Sequence, residues 1–242
     1  MILVNGCSFT QCWDLENQEQ SWPNIVSKEL SQPLVNLAIG GGSNSRIART
    51  TQEWLYTNRK PDLVIIGWTS FVRNELPSYN GQYIRMTPHS SLIEDKSLHH
   101  NPDTNLLHEI YYRCCHNDFL SLKDTLRHMI TMDKLLTSMD IPYIFFNALH
   151  DNHFPAIISG KIDEISKSAF EYYAHEPVQF PESLQITTLY LQSLINSLNH
   201  DSWLWWPDGT YCKNFNFCAR DSSGHFLEQG NLLMAKTLLE FL

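Results

Sequence analysis

The sequence is poor in basic residues and has no long apolar run, and these two absences exclude two classes of partner. Its 17 Lys and Arg residues stand against 26 Asp and Glu, which gives a formal charge of −9. Such a surface is repelled by nucleic-acid phosphates and by anionic lipid headgroups, so neither is expected as a partner. No apolar stretch approaches the ~20 residues that a membrane-spanning helix needs.

The N-terminus also lacks the basic, apolar and small-residue regions of a secretory signal peptide. We therefore predict a cytoplasmic protein. The six cysteines are then expected to be reduced thiols, most of them buried. The histidines from His89 to His116 lack the tight spacing of metal ligands, so we expect neither a metal nor another cofactor.

Apolar runs alternate with segments of helical periodicity along the chain. Alternation of this kind predicts an α/β fold, in which a parallel sheet lies between helices on both faces as a three-layer α/β/α sandwich. The tryptophan-rich run 203–206 is either a short fifth strand or an aromatic plug. The predicted strands are 1–5, 34–39, 63–66 and 143–148, and the predicted helices are about 22–30, 46–56, 120–139, 184–198 and 227–242.

Two segments, at about 77–118 and 150–183, are the least regular parts of the chain. We expect the first to be part loop and part helix, and the second to contain a short helix near 162–173. Structureless stretches of this length are unusual in a compact domain unless they line a binding site. We read them as insertions that lie over the C-terminal ends of the strands. The length of 242 residues suits a single domain over 1–242 with these insertions.

Residues with potential chemistry follow the predicted strands. Ser8 comes directly after the first strand and Gly40-Gly41-Gly42 after the second, while His225 precedes the last helix. In open α/β sheets such residues gather at one edge, and a serine there needs a base to become a nucleophile. A glycine turn can hold either an oxyanion or a phosphate. The phosphate alternative is weak, because the turn matches neither common nucleotide-binding pattern and has no lysine or acidic metal ligand nearby.

Taken in this order, the sequence blocks resemble those of the SGNH (GDSL-type) hydrolase family. Gly6-Cys7-Ser8-Phe9-Thr10 resembles its Gly-Asp-Ser block, with Cys7 in place of the aspartate. The run from Asn36 to Ser43 resembles the second block. Gly67-Trp68-Thr69-Ser70 falls where the family has Gly-x-Asn-Asp, with Thr69 in place of the asparagine.

The resemblance implies a flavodoxin-like sheet of four to five strands and an ester-hydrolysing serine enzyme. Ser8 would be the nucleophile and His225, which matches the histidine of the closing Asp-x-x-His block, the general base. Ser222 stands at the aspartate position of that block and Asp221 one residue before it. Either Asp221 or a backbone carbonyl would then orient the imidazole, since triads are defined by geometry rather than spacing.

The resemblance also implies an oxyanion site. The N–H of Ser8 and that of either Gly41 or Gly42 would donate to the oxyanion. Because Thr69 replaces the asparagine, Thr69 itself or Asn44 would have to supply the third contact.

Two functions from different classes follow from these observations. The first is a serine esterase for a small-molecule or carbohydrate ester, such as an O-acetylated sugar. The second is a binding or assembly protein that keeps the fold with a degenerate site, which the residues Cys7, Thr69 and Ser222 at three family positions favour.

Overall fold

A parallel β-sheet forms the centre of the computed structural model, which describes residues 1–87, 102–149, 184–204, 210–221 and 224–242. In chain order the strands of the described residues are β1 (Ile2–Asn5), β2 (Leu34–Asn36), β3 (Leu63–Trp68), β4 (Asn74–Pro77), β5 (Tyr83–Met86) and β6 (Tyr143–Asn147). The order of the sheet is β2-β1-β3-β6, with every neighbouring pair parallel, while β4 and β5 form a separate antiparallel hairpin. This is the strand order of flavodoxin-like sheets, so the predicted fold class is confirmed.

The helices lie along both faces of the sheet. The α-helices of the described residues are α1 (Ser8–Gln11), α2 (Trp22–Glu29), α3 (Asn44–Thr57), α4 (Pro102–Ile110), α5 (Asp118–Ser138), α6 (Leu184–Asn196), α7 (Tyr211–Asn214) and α8 (Glu228–Phe241). Helices α3 and α5 contact each other on one face together with α6, and α2 contacts α8 on the other. A π-helical turn at Tyr111–Cys115 and short 3-10 turns complete the described part.

The three layers follow from the pleat of the strands. Successive side chains of β3 are all buried, yet Val64 and Ile66 face the core under α3 and α5, while Leu63 and Ile65 face the core under α2 and α8. A strand buried on both faces is continuously apolar, which is why the sequence shows no polar alternation there.

A remnant of the fifth strand lies beside β6. Trp203 forms an isolated parallel bridge with Phe145, and the two rings pack edge to face with centroids 5.6 Å apart. Trp203 therefore pairs with β6 at the position of a fifth strand through a single bridge, and its buried ring is also part of the core. Trp205 and Trp206 lie outside the described residues.

The described parts of the first predicted insertion, 77–87 and 102–118, contain β5, α4 and the π-helical turn, while 88–101 lie outside the described residues. The sequence predicts helix in this segment but not the strand. Arg85, near the end of the hairpin, donates a hydrogen bond to the carbonyl oxygen of Gly40. The hairpin is also anchored on α3, because Glu75 accepts two hydrogen bonds from Arg49, at 2.8 and 2.9 Å. The second predicted insertion, 150–183, lies outside the described residues.

The described cysteines are free thiols, of which Cys7, Cys12 and Cys218 are buried. Cys114 and Cys115, in the π-helical turn, are exposed. Most of the described cysteines are therefore buried, as predicted. In the described part of the chain, none of the helices combines the length and apolar character that a bilayer span requires.

Candidate functional site

Ser8 is the first residue of α1, directly beyond the carboxyl end of β1. Cys7 occupies the N-cap position with extended backbone, and its side chain is buried in the core, as strand alternation predicts. The Ser8 side chain is 6% exposed. Because Ser8 and Phe9 form the first turn of the helix, their N–H groups have no partner within it and remain available as donors.

The sharp turn into α1 depends on two facing glycines. A Cβ at Gly6 would lie 2.2 Å from Oγ1 of Thr10 and 3.0 Å from the carbonyl oxygen of Gly67. A Cβ at Gly67 would lie 2.7 Å from the same Thr10 hydroxyl. The two strands can therefore end side by side around Thr10 only because both positions lack a side chain.

The glycine turn after β2 packs against the residues that precede Ser8. A Cβ at Gly42 would lie 3.1 Å from the carbonyl oxygen of Gly6, and the N–H of Gly40 donates to Oε1 of Gln11 at 2.5 Å. Gly41 adopts φ = 69°, a left-handed conformation that favours glycine. The N–H of Gly42 donates to the carbonyl of Ile39, whereas that of Gly41 makes no hydrogen bond to a described residue.

Asn44 and Thr69 are joined to each other. Oδ1 of Asn44 accepts the Thr69 N–H at 2.8 Å, and Nδ2 donates to the Thr69 carbonyl at 2.9 Å and to Oγ1 of Thr125 at 3.3 Å. The carboxamide of Asn44 is thus occupied in tying α3 to the end of β3. The Thr69 hydroxyl accepts a hydrogen bond from Nη1 of Arg73 at 3.0 Å, which leaves its own proton for donation.

The imidazole of His225 lies against the start of α1. Its ring packs on the ring of Phe9, the residue after Ser8, with centroids 4.8 Å apart. Its Nδ1 lies 2.5 Å from Oδ2 of Asp14 and 3.7 Å from Oδ2 of Asp221. The side chain of His225 is 16% exposed. The ring of His225 therefore contacts the residue that follows Ser8.

Asp221 contacts the backbone of His225 rather than its ring. Oδ1 of Asp221 accepts the His225 N–H at 2.9 Å, and the Asp221 N–H donates to the His225 carbonyl at 2.9 Å. Gly224, at φ = 87°, completes this turn. At 3.7 Å the second carboxylate oxygen is beyond hydrogen-bond distance of Nδ1.

Asn231 of α8 connects the end of α1, the start of α2 and the residue that follows His225. Its Oδ1 accepts the Trp22 N–H at 3.2 Å and lies 3.1 Å from Sγ of Cys12. Its Nδ2 donates to the carbonyl of Phe226 at 3.0 Å, directly after His225. Burial raises the pKa of the Cys12 thiol far above its usual range, so Cys12 keeps its proton and is the donor in this contact.

Sequence reasoning missed both Asp14 and Asn231. Asp14 lies in a polar stretch that reads as an ordinary loop, and Asn231 lies in a helix whose apolar periodicity hides it. The one feature of the sequence that could have indicated Asp14 is its position, because it lies only six residues after Ser8, in the loop that follows α1.

Asp14, Asp221 and His225 are also the described residues that could hold a cation. One ligand atom of each lies within 4.8 Å of the others. Nδ1 of His225 and Oδ2 of Asp14 are 2.5 Å apart, which is a hydrogen-bond distance. The two residues are therefore joined by a hydrogen bond in this structure.

The strand order and the position of this site define a doubly wound α/β protein with its candidate site at the carboxyl edge of the sheet. Residues 3–166 match the family of unknown function DUF6071, and the chain belongs to this family. No curated protein matches the sequence.

Several solved structures resemble the chain at low identity. The psychrotrophic esterase EstA from Pseudoalteromonas sp. is 11% identical, with 99% of this chain and 94% of that chain covered and a TM-score of 0.49. A member of the lipolytic G-D-S-L family from Veillonella parvula is 12% identical, with 99% and 96% covered and a TM-score of 0.42. An acetyl xylan esterase from Butyrivibrio proteoclasticus is 12% identical, with 100% and 63% covered and a TM-score of 0.45. Likenesses at this level assign no activity to the chain.

Proposed function

We propose that the protein is a serine-dependent ester hydrolase in which Ser8 is the nucleophile and His225 the general base. The observation that carries the proposal is the packing of the His225 ring on Phe9, the neighbour of Ser8, while Nδ1 of the ring is bound by a carboxylate. With Nδ1 so engaged, Nε2 is the ring atom that exchanges a proton with the serine, the arrangement that activates a serine hydroxyl.

The reaction has two halves. In the first, Oγ of Ser8 bonds to the ester carbonyl carbon while its proton passes to Nε2 of His225. The tetrahedral oxyanion then collapses, the bond to the alcohol oxygen breaks, and His225 returns the proton to that oxygen. In the second, a water molecule gives a proton to His225 and attacks the acyl carbon, so that the acid leaves and Ser8 regains its proton.

The proposed oxyanion donors are backbone N–H groups and one hydroxyl. Ser8 offers the first N–H, and Gly41 rather than Gly42 offers the second, because the N–H of Gly42 already donates to Ile39. Asn44 is occupied by its contacts with Thr69, so the proton of the Thr69 hydroxyl is the third donor in this proposal. Such donors stabilise the charge that develops in the transition state.

The proposed substrates are small-molecule or carbohydrate carboxylic esters, and the proposed location is the cytoplasm. The protein needs no metal or other cofactor for this mechanism, because the proton transfers and the oxyanion contacts come from its own residues. The acidic charge of −9 favours a neutral ester over a strongly anionic one.

Hydrolysis of p-nitrophenyl acetate by the Ser8→Ala variant tests the proposal. Loss of the nucleophile is expected to lower kcat by about 10³-fold or more, down to what the oxyanion donors alone support. Ser202→Ala, in a 3-10 turn of which no residue is buried, is the matched control and is expected to hydrolyse at the wild-type rate. A Ser8→Ala variant that hydrolyses at the wild-type rate would contradict the proposal and favour a binding or assembly protein with a degenerate site.

A further inference from the structure

We propose that Asp14, and not Asp221, is the positioning residue that fixes the tautomer and orientation of the His225 ring. This inference deepens the proposed function, on which it rests for its catalytic meaning. It assigns a role to a residue that neither the sequence blocks nor the family resemblance singles out.

The distances to the ring distinguish the two carboxylates. Oδ2 of Asp14 lies 2.5 Å from Nδ1 of His225, whereas Oδ2 of Asp221 lies 3.7 Å from the same atom. A hydrogen bond requires a separation near 3 Å or less. Asp14 is therefore the carboxylate that accepts the Nδ1 proton, and Asp221 acts on the ring only through its charge.

Asp221 already has a different function in the same turn. It accepts the His225 N–H through Oδ1 and donates its own N–H to the His225 carbonyl, each at 2.9 Å. The Gly224 N–H donates to the Asp221 carbonyl at 3.1 Å. These contacts place the backbone of His225 but leave rotation of its ring undetermined.

The loop that carries Asp14 is built to hold it in place. Cys12 ends α1 at φ = 55°, and the Leu15 N–H returns to the Cys12 carbonyl at 3.2 Å. Leu15 is buried in the core, and Nε2 of Gln18 donates to the carbonyls of both Cys12 and Leu15, at 2.7 and 3.2 Å. Asp14 lies within this closed loop with its side chain 21% exposed. A fixed carboxylate costs little entropy when it binds the ring.

The chemical consequence is the choice of tautomer. A carboxylate that accepts from Nδ1 keeps the proton there and leaves Nε2 unprotonated, ready to accept the proton of Ser8. It also stabilises the imidazolium that forms after the transfer. An asparagine at position 14 can donate its amide proton to Nδ1 instead, which would place the ring proton on Nε2 and prevent it from acting as a base.

Paired isosteric variants test the inference by NMR and kinetics. We compare Asp14→Asn with Asp221→Asn, using ¹⁵N-labelled histidine to identify the protonated ring nitrogen of His225. In the wild type, a strongly downfield Nδ1–H proton is expected. Asp14→Asn is expected to lose this signal, to shift the proton to Nε2 and to lower kcat by about 10²- to 10⁴-fold with little change in KM.

Asp221→Asn is expected to keep the signal and a kcat within about 5-fold of the wild type, because the asparagine Oδ1 still accepts the His225 N–H. The inference is wrong if Asp14→Asn keeps the Nδ1–H signal, or if Asp221→Asn alone loses it. Circular dichroism and thermal melting confirm that each variant folds.

Ser8→Ala in the same experiment separates this inference from the proposed function. The ring signal decides which carboxylate holds His225, whether or not the protein hydrolyses an ester. Hydrolysis that persists in Ser8→Ala would contradict the proposed function and would leave the assignment of Asp14 to the NMR result alone.

Discussion

In the proposed mechanism, Thr69 is the residue that most affects how the site would stabilise an oxyanion. An asparagine amide at this position would donate directly, whereas a threonine hydroxyl both accepts and donates. Nη1 of Arg73 donates to the Thr69 hydroxyl at 3.0 Å, which leaves the hydroxyl proton for donation. In the proposed site, the Thr69 hydroxyl would then serve as a donor in place of an amide.

Replacing Thr69 with valine tests this contribution, because valine keeps the shape and removes the hydroxyl. We expect kcat to fall by about 10²-fold with KM nearly unchanged, since the contact is made to the transition state. Steady-state hydrolysis of an activated ester measures both constants. Thr57→Val, at the exposed end of α3, is the control. A kcat within about 2-fold of the wild type would remove Thr69 from the proposed oxyanion site.

His128 of α5 gives a pH dependence that does not involve the site. Burial lowers the pKa of His128, and the nearby carboxylates of Asp124 and Glu75 oppose the shift only in part. The unfolded chain therefore binds the proton at a higher pH than the folded one. Stability is retained above the ordinary histidine pKa of about 6.5 and is lost as the pH falls below it.

We expect His128→Gln to reduce this acid sensitivity. The free energy of unfolding in urea is measured at about pH 7.5 and about pH 5.5, on either side of the ordinary histidine pKa. The decrease between the two pH values should be smaller in the variant than in the wild type. Equal decreases would show that the acid sensitivity arises elsewhere.

At the scale of elements, α8 is joined to α1 and α2 through one side chain. Asn231 bonds the first N–H of α2, the thiol that ends α1 and the backbone that follows His225. Its side chain is buried. The relative position of α1 and the segment that carries His225 thus depends on Asn231.

Asn231→Ala is expected to lower the free energy of unfolding by about 2–3 kcal/mol, because it leaves buried donors and carbonyls without partners. Activity in the folded fraction should also fall, since the His225 segment loses its anchor. Urea unfolding together with ester hydrolysis measures both effects. Lys236→Ala, exposed on the same helix, should change stability by less than about 0.5 kcal/mol. If Asn231→Ala also changed the free energy of unfolding by less than about 0.5 kcal/mol, its role in holding α1, α2 and α8 together would be contradicted.

The sequence predicts the elements better than the contacts between them. The strands of the central sheet are mainly apolar and the long helices carry regular periodicity, so both can be recognised locally, whereas the more polar hairpin strands β4 and β5 cannot. Ser43, directly before α3, caps this helix by accepting the Arg46 N–H, a contact between residues that are close in the sequence. The bond of Cys12 to Asn231, by contrast, joins residues 219 positions apart, and no local pattern encodes such a partner.

The same limit explains which site residues could be predicted. Ser8 and the glycines stand at the ends of strands, and their approach follows from the parallel topology. The choice between Asp14 and Asp221 depends on how far each carboxylate lies from Nδ1 of His225. These distances, 2.5 Å for Asp14 and 3.7 Å for Asp221, differ by little more than 1 Å. The sequence spacing favours Asp221, because Asp221 is close to His225 in the chain. The path of the loop after α1, which brings Asp14 to the His225 ring, cannot be read from the sequence.

For the molecule as a whole, the candidate site draws on both faces of the sheet. Phe9 and Phe226 belong to the core between the sheet and the pair α2 and α8, and this core carries both Ser8 and His225. On the opposite face, the hairpin of β4 and β5 contacts the glycine turn through the bond of Arg85 to Gly40, and α3 through the bond of Arg49 to Glu75. Both faces of the sandwich therefore contribute to the edge where the proposed chemistry takes place.

Covalent labelling with a fluorophosphonate is the measurement that tests the central claim, that His225 activates Ser8, most directly. Intact mass and peptide mapping of the labelled protein identify the modified residue. We expect one adduct, on Ser8, which is absent in Ser8→Ala and strongly slowed in His225→Ala, because only an activated serine attacks the reagent at an appreciable rate. A folded wild-type protein that gains no adduct on Ser8, or gains it equally fast in His225→Ala, would contradict the claim.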